Sequence, residues 1–117
     1  MEVTVALETV DKYVALARTL LQDTYDGPYR YSDAELAIGL SLALQETRRI
    51  RPDLFLNKSV QTFTTNDATV VNMDEMYRVP LVYYMCGHVQ LRDNEEVQDQ
   101  RAAAFFGLFH AKMTTVA

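Results

Sequence analysis

Ser32-Asp33-Ala34-Glu35-Leu36, running on through Arg48-Arg49-Ile50-Arg51-Pro52, holds a helix start and a helix stop, and it sets the reading of the whole chain. Ser32 followed three residues later by Glu35 is a capping-box spacing. The hydroxyl can accept from the Glu35 amide, while the carboxylate reaches back to the amide of Ser32. Tyr31 and Leu36 flank the cap at the positions of a hydrophobic staple. Pro52 denies its predecessor the helical region, so the helix is expected over 33–51. Leu36, Leu40, Ala43, Thr47 and Ile50 form one stripe, and Ala37, Ile38, Leu42 and Leu44 carry apolar surface most of the way round. A helix apolar on nearly every side is buried on more than one. In a chain this short, the second side is expected to lie against a neighbouring subunit.

Upstream, Ala6, Val10, Tyr13, Ala17 and Leu20 alternate spacings of four and three, which predicts a helix over about 5–22 with Thr4 as its cap. Asp26-Gly27-Pro28 is turn chemistry and ends it. The short link makes these two helices antiparallel neighbours. Downstream, residues 57–73 are rich in threonine and β-branched side chains and lose the helical period. Val60–Thr65 and Ala68–Met73 have strand-like composition around a turn at Asn66-Asp67, so a short β-hairpin or extended loop is expected.

A third helix is expected over about 74–92. Asp74 is its cap, unless 74–79 form a separate turn and the helix begins at Pro80, where proline is welcome. Gly87 marks a close helix crossing. A fourth helix is expected over about 95–112, capped by Asp93 or Asn94, with Ala102, Phe105, Phe109 and Met113 on one stripe. The fold class is therefore mainly α, a single domain of about four helices with a short β-hairpin or extended loop between the second and third.

The 117 residues support one core, and 49% hydrophobic with 23% charged residues is ordinary globular composition. A net charge of −5 argues against a generic nucleic-acid binder. No secretory signal is expected, and no apolar run has the length of a membrane span.

Cys86 and His88 are two apart, so on a helix they diverge, and Cys86 reads as a small core residue. Glu-x-x-His pairs of a metal-bearing bundle are missing, since Met85 and Gly107 precede His88 and His110 by three. The carboxylates Asp93, Glu95, Glu96 and Asp99 suit a helix start but lack the alternation of a calcium loop. No phosphate loop or nucleophile elbow is present. The expectation is no enzyme, no cofactor and no metal. Arg48, Arg49 and Arg51, with Arg30 nearby, form the sole basic concentration. They read either as a solvated helix end or as a surface for an acidic partner or passing DNA. Tyr25, Tyr29 and Tyr31 surround the first loop and suit either an interface or a polar edge of the core.

Three stretches resemble the head-to-tail adaptor proteins of tailed bacteriophages, closest to the short-tailed type. They are Tyr29-Arg30-Tyr31-Ser32-Asp33-Ala34-Glu35-Leu36, the run from Arg48 to Phe55, and Asp93-Asn94-Glu95-Glu96-Val97 followed by Arg101-Ala102-Ala103-Ala104-Phe105-Phe106. The preceding Ala17–Asp23 belongs to the likeness, which thins between Asn57 and Asn72. The resemblance implies a helical connector (head completion) subunit that forms a ring, typically of twelve copies. Its place is the head–tail junction of the virion, after assembly in the host cytoplasm. Its implied partners are copies of itself, the portal protein and the tail nozzle or tube, with genome DNA passing through the channel without specific binding. Helices one, two and four would supply the contacts between copies, 57–73 would meet the tail or the adjacent copy, and the last helix would meet the portal. Tyr29, Tyr31, Arg48, Arg51, Phe63, Phe106 and Phe109 are the expected interface residues. The rival expectation is a small DNA-associated packaging or regulatory protein using Arg48, Arg49 and Arg51.

Overall fold

The fold is built from four α-helices: α1 (Val10–Leu21), α2 (Asp33–Ile50), α3 (Arg78–Leu91) and α4 (Glu96–Met113). The structure, a computed structural model, describes residues 7–23, 31–91 and 96–114, with the backbone alone for 96–99. No sheet forms among them, and the mainly α bundle of four helices is as expected. The expected caps Thr4, Asp93 and Asn94 lie outside the described residues.

α2 starts as its sequence dictates. Ser32 is extended, and its Oγ accepts from the Glu35 amide at 3.1 Å. The helix ends at Ile50, because Arg51, held at φ −130° before Pro52, leaves the helical region. Pro52 then opens a 3-10 turn to Phe55 that turns Leu54 and Phe55 inward.

α3 is the hub, touching α1, α2 and α4. Its apolar residues run almost all round, and Leu81, Val82, Met85, Cys86 and Val89 are all closed off from solvent. Two glycines let its neighbours approach. A Cβ on Gly39 of α2 would sit 3.4 Å from the Met85 Cα, and one on Gly87 would sit 2.9 Å from the Phe106 ring of α4. The crossing expected at Gly87 is therefore real, and Gly39 supplies a second. The helix starts between the two expected places. Asp74 precedes a 3-10 turn, Glu75–Tyr77, and α3 proper begins at Arg78. Pro80 thus falls in the first helical turn, where an amide has no intrahelical acceptor to lose.

α1 begins at Val10, a turn later than the sequence suggests. The reason lies in the loop after α2. The amides of Val10 and Asp11 donate to the carbonyls of Thr69 (3.0 Å) and Asp67 (2.9 Å), and the Val71 amide donates to Glu8 (2.9 Å). The loop therefore caps α1, occupying donors that an α-helix leaves orphaned. It also pairs Thr9 with Val70 in a single antiparallel bridge.

Of the two forms expected for 57–73, the extended loop is the one adopted. Its arms are joined by a side chain rather than by a ladder: the Gln61 amide donates to the Val70 carbonyl and accepts from the Asn72 amide, both at 2.8 Å. The turn at Asn66-Asp67 does form, with Asp67 accepting from the Thr69 amide at 2.9 Å.

The expectation that a second subunit must cover α2 is corrected. Leu36, Ala37, Leu40, Ala43 and Leu44 are closed off by the chain itself, through α1, α3 and the turn after α2. The loop fastens to the same helix, since Ser41 Oγ accepts from the Phe63 amide (2.5 Å) and donates to its carbonyl (2.8 Å). Only Ile38 stands exposed, and Leu42 and Ile50 are half-buried. The other exposed large apolar side chains lie elsewhere: Leu56 and Val70 in the loop after α2, Met76 and Val79 at the start of α3, Leu91 at its end and Leu108 on α4.

Candidate interaction surface

The arginine cluster does not remain a patch. Arg49 is held by the Glu46 carboxylate. That bond, with a smaller contribution from His110, keeps Glu46 below the usual carboxylate range. Arg51 is engaged on every side. Its Nε and Nη2 grip Asp53 at 3.0 and 2.9 Å, and Nη1 donates to the Tyr77 hydroxyl (3.0 Å) and the Met113 carbonyl (2.9 Å). Its guanidinium carbon also lies 5.0 Å from the Tyr77 ring centroid. One side chain thus ties the end of α2 to both 3-10 turns and to the last turn of α4, where a cation suits the exposed carbonyls. Asp53 is correspondingly held below its ordinary range by Arg51. Arg48 and Arg49 are both exposed, and of the three arginines only Arg48 makes no ion pair with a described residue. Arg30 lies outside the described residues. A single uncommitted arginine gives little phosphate affinity, which weakens the DNA-binding alternative.

The aromatic candidates separate by depth. Tyr29 and Tyr25 lie outside the described residues. Tyr31 is buried, its amide donating to Asp23 (3.2 Å) and its hydroxyl accepting from Gln90 (3.3 Å). Phe63 is buried beside Ser41, and Phe109 is buried between α3 and α4. These three are core residues of the subunit, drawn in because a whole ring buried is worth more than one left at an edge. Phe106 is half-buried and reaches the surface.

Sequence reasoning missed Arg18, which lies off the apolar stripe of α1 and reads as solvated. It is 7% exposed, donates to Asp23 (2.8 Å) and the Tyr31 carbonyl (2.9 Å), and pairs with Asp33. The available signal was the pair of aspartates flanking the α1–α2 loop.

Cys86 and His88 face different helices, as their spacing requires. The thiol points at the Ala17 carbonyl of α1 (3.7 Å) and is pushed up to about 12 by burial, while His88 lies against Gly39 of α2. No three metal-ligating side chains converge among the described residues. The acidic run at the start of α4 falls on side chains outside them.

Two apolar surfaces straddle the α3–α4 pair. On one side a groove of about 340 Å³ is lined by Glu46, Ile50, Tyr84, Phe106, Phe109 and His110. Tyr84 forms its floor, meeting Phe106 and Phe109 edge-on at 5.1 and 5.0 Å. On the other side Met76, Val79, Pro80, Tyr83 and Lys112 make a shallower face. Met76 is 53% exposed there and Val79 43%. Tyr83 stacks on Phe105 at 6.4 Å, which continues the apolar surface onto α4. The outer side of α4 shows Ala103, Ala104, Gly107, Leu108 and Ala111 to solvent. Exposed apolar patches of this kind mark sites of contact with other macromolecules, with membranes or with ligands.

No helix among the described residues is long and apolar enough to cross a membrane. The chain matches no family model, no curated protein and no solved structure.

Proposed function

We propose that the protein is a structural head-to-tail adaptor of a tailed bacteriophage, a subunit that joins the portal to the tail nozzle or tube as a ring around the genome channel. Support comes from the resemblance of the stretches 29–36, 48–55 and 93–106 to such adaptors, and from a four-helix fold of the size and class the resemblance implies. The observation that carries the reading is the placement of apolar surface on two opposite sides of the α3–α4 pair. A subunit that offers different patches to its two neighbours makes heterologous contacts, and such contacts close into rings when the rotation allows. The buried stripe of α2, covered by its own chain, is not part of this argument, and α2 contributes only Glu46 and Ile50 to the groove wall.

In this role α4 presents Leu108 and its small neighbours to the portal, and the exposed stretch Thr64–Val70 faces the tail or an adjacent copy. The net charge of −5 suits a channel that DNA crosses without adhering. Negative-stain imaging of the purified protein with and without its portal tests the reading. A ring of copies on the tail-facing side of the portal is expected. Protein that neither decorates portals nor occurs in mature particles would sink it.

A further inference from the structure

We infer that α4 opens away from α3 as a unit while α1, α2, α3 and the loop after α2 stay folded, and that Arg51 is the latch that holds it closed. The inference does not depend on the adaptor reading.

Among the described elements α4 has a single substantial neighbour, α3, whereas α3 also packs on α1 and α2. Of residues 100–113, Ala102, Phe109 and Met113 alone are buried. The aromatic contacts of α4 fall on one side of α3. Phe105 stacks on Tyr83, Phe106 and Phe109 stand edge-on to Tyr84, and the Phe106 ring crosses Gly87. The other sides of α3 are met from elsewhere: Gly39 of α2 lies against Met85, and the Ala17 carbonyl of α1 faces Cys86. Those contacts survive the departure of α4. An element with few buried residues and one neighbour opens at lower cost than the core it leaves behind.

The polar contacts divide in the same way. Among the described residues, the hydrogen bond from Arg51 Nη1 to the Met113 carbonyl (2.9 Å) is the one that ties α4 to another element. The remaining Arg51 bonds, two to Asp53 and one to the Tyr77 hydroxyl, lie within the part that stays folded. They hold the guanidinium in place with or without α4, so closing costs little further ordering of that side chain. Opening uncovers Tyr84 and the α3 surface beside Gly87. It also leaves α4 alone in water, where a helix of 18 residues is marginal and its amides exchange.

Native-state hydrogen exchange of the full chain across a urea series tests this. Amides 104–112 of α4 are expected to share one opening free energy, lower than that of amides 40–44 in α2. Their urea slope should also be shallower, because the opening exposes less surface than global unfolding. Ser41→Ala removes bonds to Phe63 that the opened form keeps. It should speed exchange in α1 and α2 about ten-fold and leave α4 unchanged. Arg51→Gln removes the latch and should speed α4 exchange about five-fold. An α4 that exchanges with the energy and slope of α2, or that responds to Ser41→Ala as α2 does, overturns the opening. Protection that declines steadily from 104 to 112 is fraying of a helix end, and it overturns the opening too. Exchange in α4 unmoved by Arg51→Gln overturns the latch.

Discussion

A Cβ on Gly87 would lie 2.9 Å from Cε1 of Phe106, nearer than two carbons normally approach. Glycine is therefore required at the α3–α4 crossing by the ring laid across it. Gly87→Ala gains about 1 kcal/mol of helix propensity but forces the ring aside, an overpacking cost of about 1–3 kcal/mol. Net destabilisation is expected in urea unfolding, and it should vanish when Phe106→Ala is added. Gly107 is the control: nothing lies within 4 Å of a Cβ there. Gly107→Ala should stabilise by up to about 1 kcal/mol.

Arg18 is expected to be the most sensitive polar position. It is the buried counter-ion of Asp23, and the same guanidinium holds the Tyr31 carbonyl and Asp33 across the loop. Arg18→Met removes the counter-ion of the buried Asp23 carboxylate and should cost about 3–5 kcal/mol. Arg18→Lys should recover little, since an ammonium cannot span the three acceptors in one plane. Removing both charges with Arg18→Met and Asp23→Leu should cost less than Arg18→Met alone. Chemical unfolding of the four proteins decides the matter.

Much of the helical frame was legible because its signals are local. The Ser32–Glu35 spacing fixed the start of α2, Pro52 its end, and Gly87 a crossing. What escaped were pairings across long sequence distance. Strand-like composition in 60–73 says that backbone groups want partners, not that Gln61 will bridge the arms or that Thr69 and Asp67 will cap α1. The all-round apolar coat of α2 measures how much cover is needed, and it is silent on whether α3 and Phe63 of the same chain supply it. Arg51 looked like a solvated helix end because its partner carbonyl, on Met113, lies in another helix. The same limit applies to the candidate interface, where residue type points to Tyr31, Phe63 and Phe109 and the fold buries all three.

Alkaline pH should unfold the protein through two buried groups. Burial raises both the Cys86 thiol, to about 12, and the Tyr13 hydroxyl. A group whose folded pKa lies above its unfolded value stabilises below the unfolded pKa and loses that contribution as pH rises through the folded one. The thermal midpoint should therefore begin to fall near the ordinary thiol range, at about pH 8.5, and more steeply above about pH 10. Tyr84, also raised by burial, acts in the same sense. Cys86→Ala should flatten the first part of the decline and Tyr13→Phe part of the second. The Tyr13 hydroxyl is also buried without a hydrogen-bond partner among the described residues, so Tyr13→Phe should stabilise by about 1 kcal/mol at neutral pH.

Contact between α4 and the portal is best probed at Leu108, not at the phenylalanines the sequence nominated. Phe109 is 2% exposed and packs edge-on against Tyr84, so Phe109→Ala should cost about 3–5 kcal/mol of stability and impair any activity of the protein indirectly. Leu108, the preceding residue of the same helix, is 43% exposed on its outer side. Leu108→Ala should change stability by no more than about 0.5 kcal/mol. If α4 docks on the portal by its outer side, Leu108→Asp weakens portal association while the unfolding curve of the free protein stays in place. Paired binding and melting measurements on these variants separate the two effects. Normal portal association by a folded Leu108→Asp protein would remove α4 from that contact.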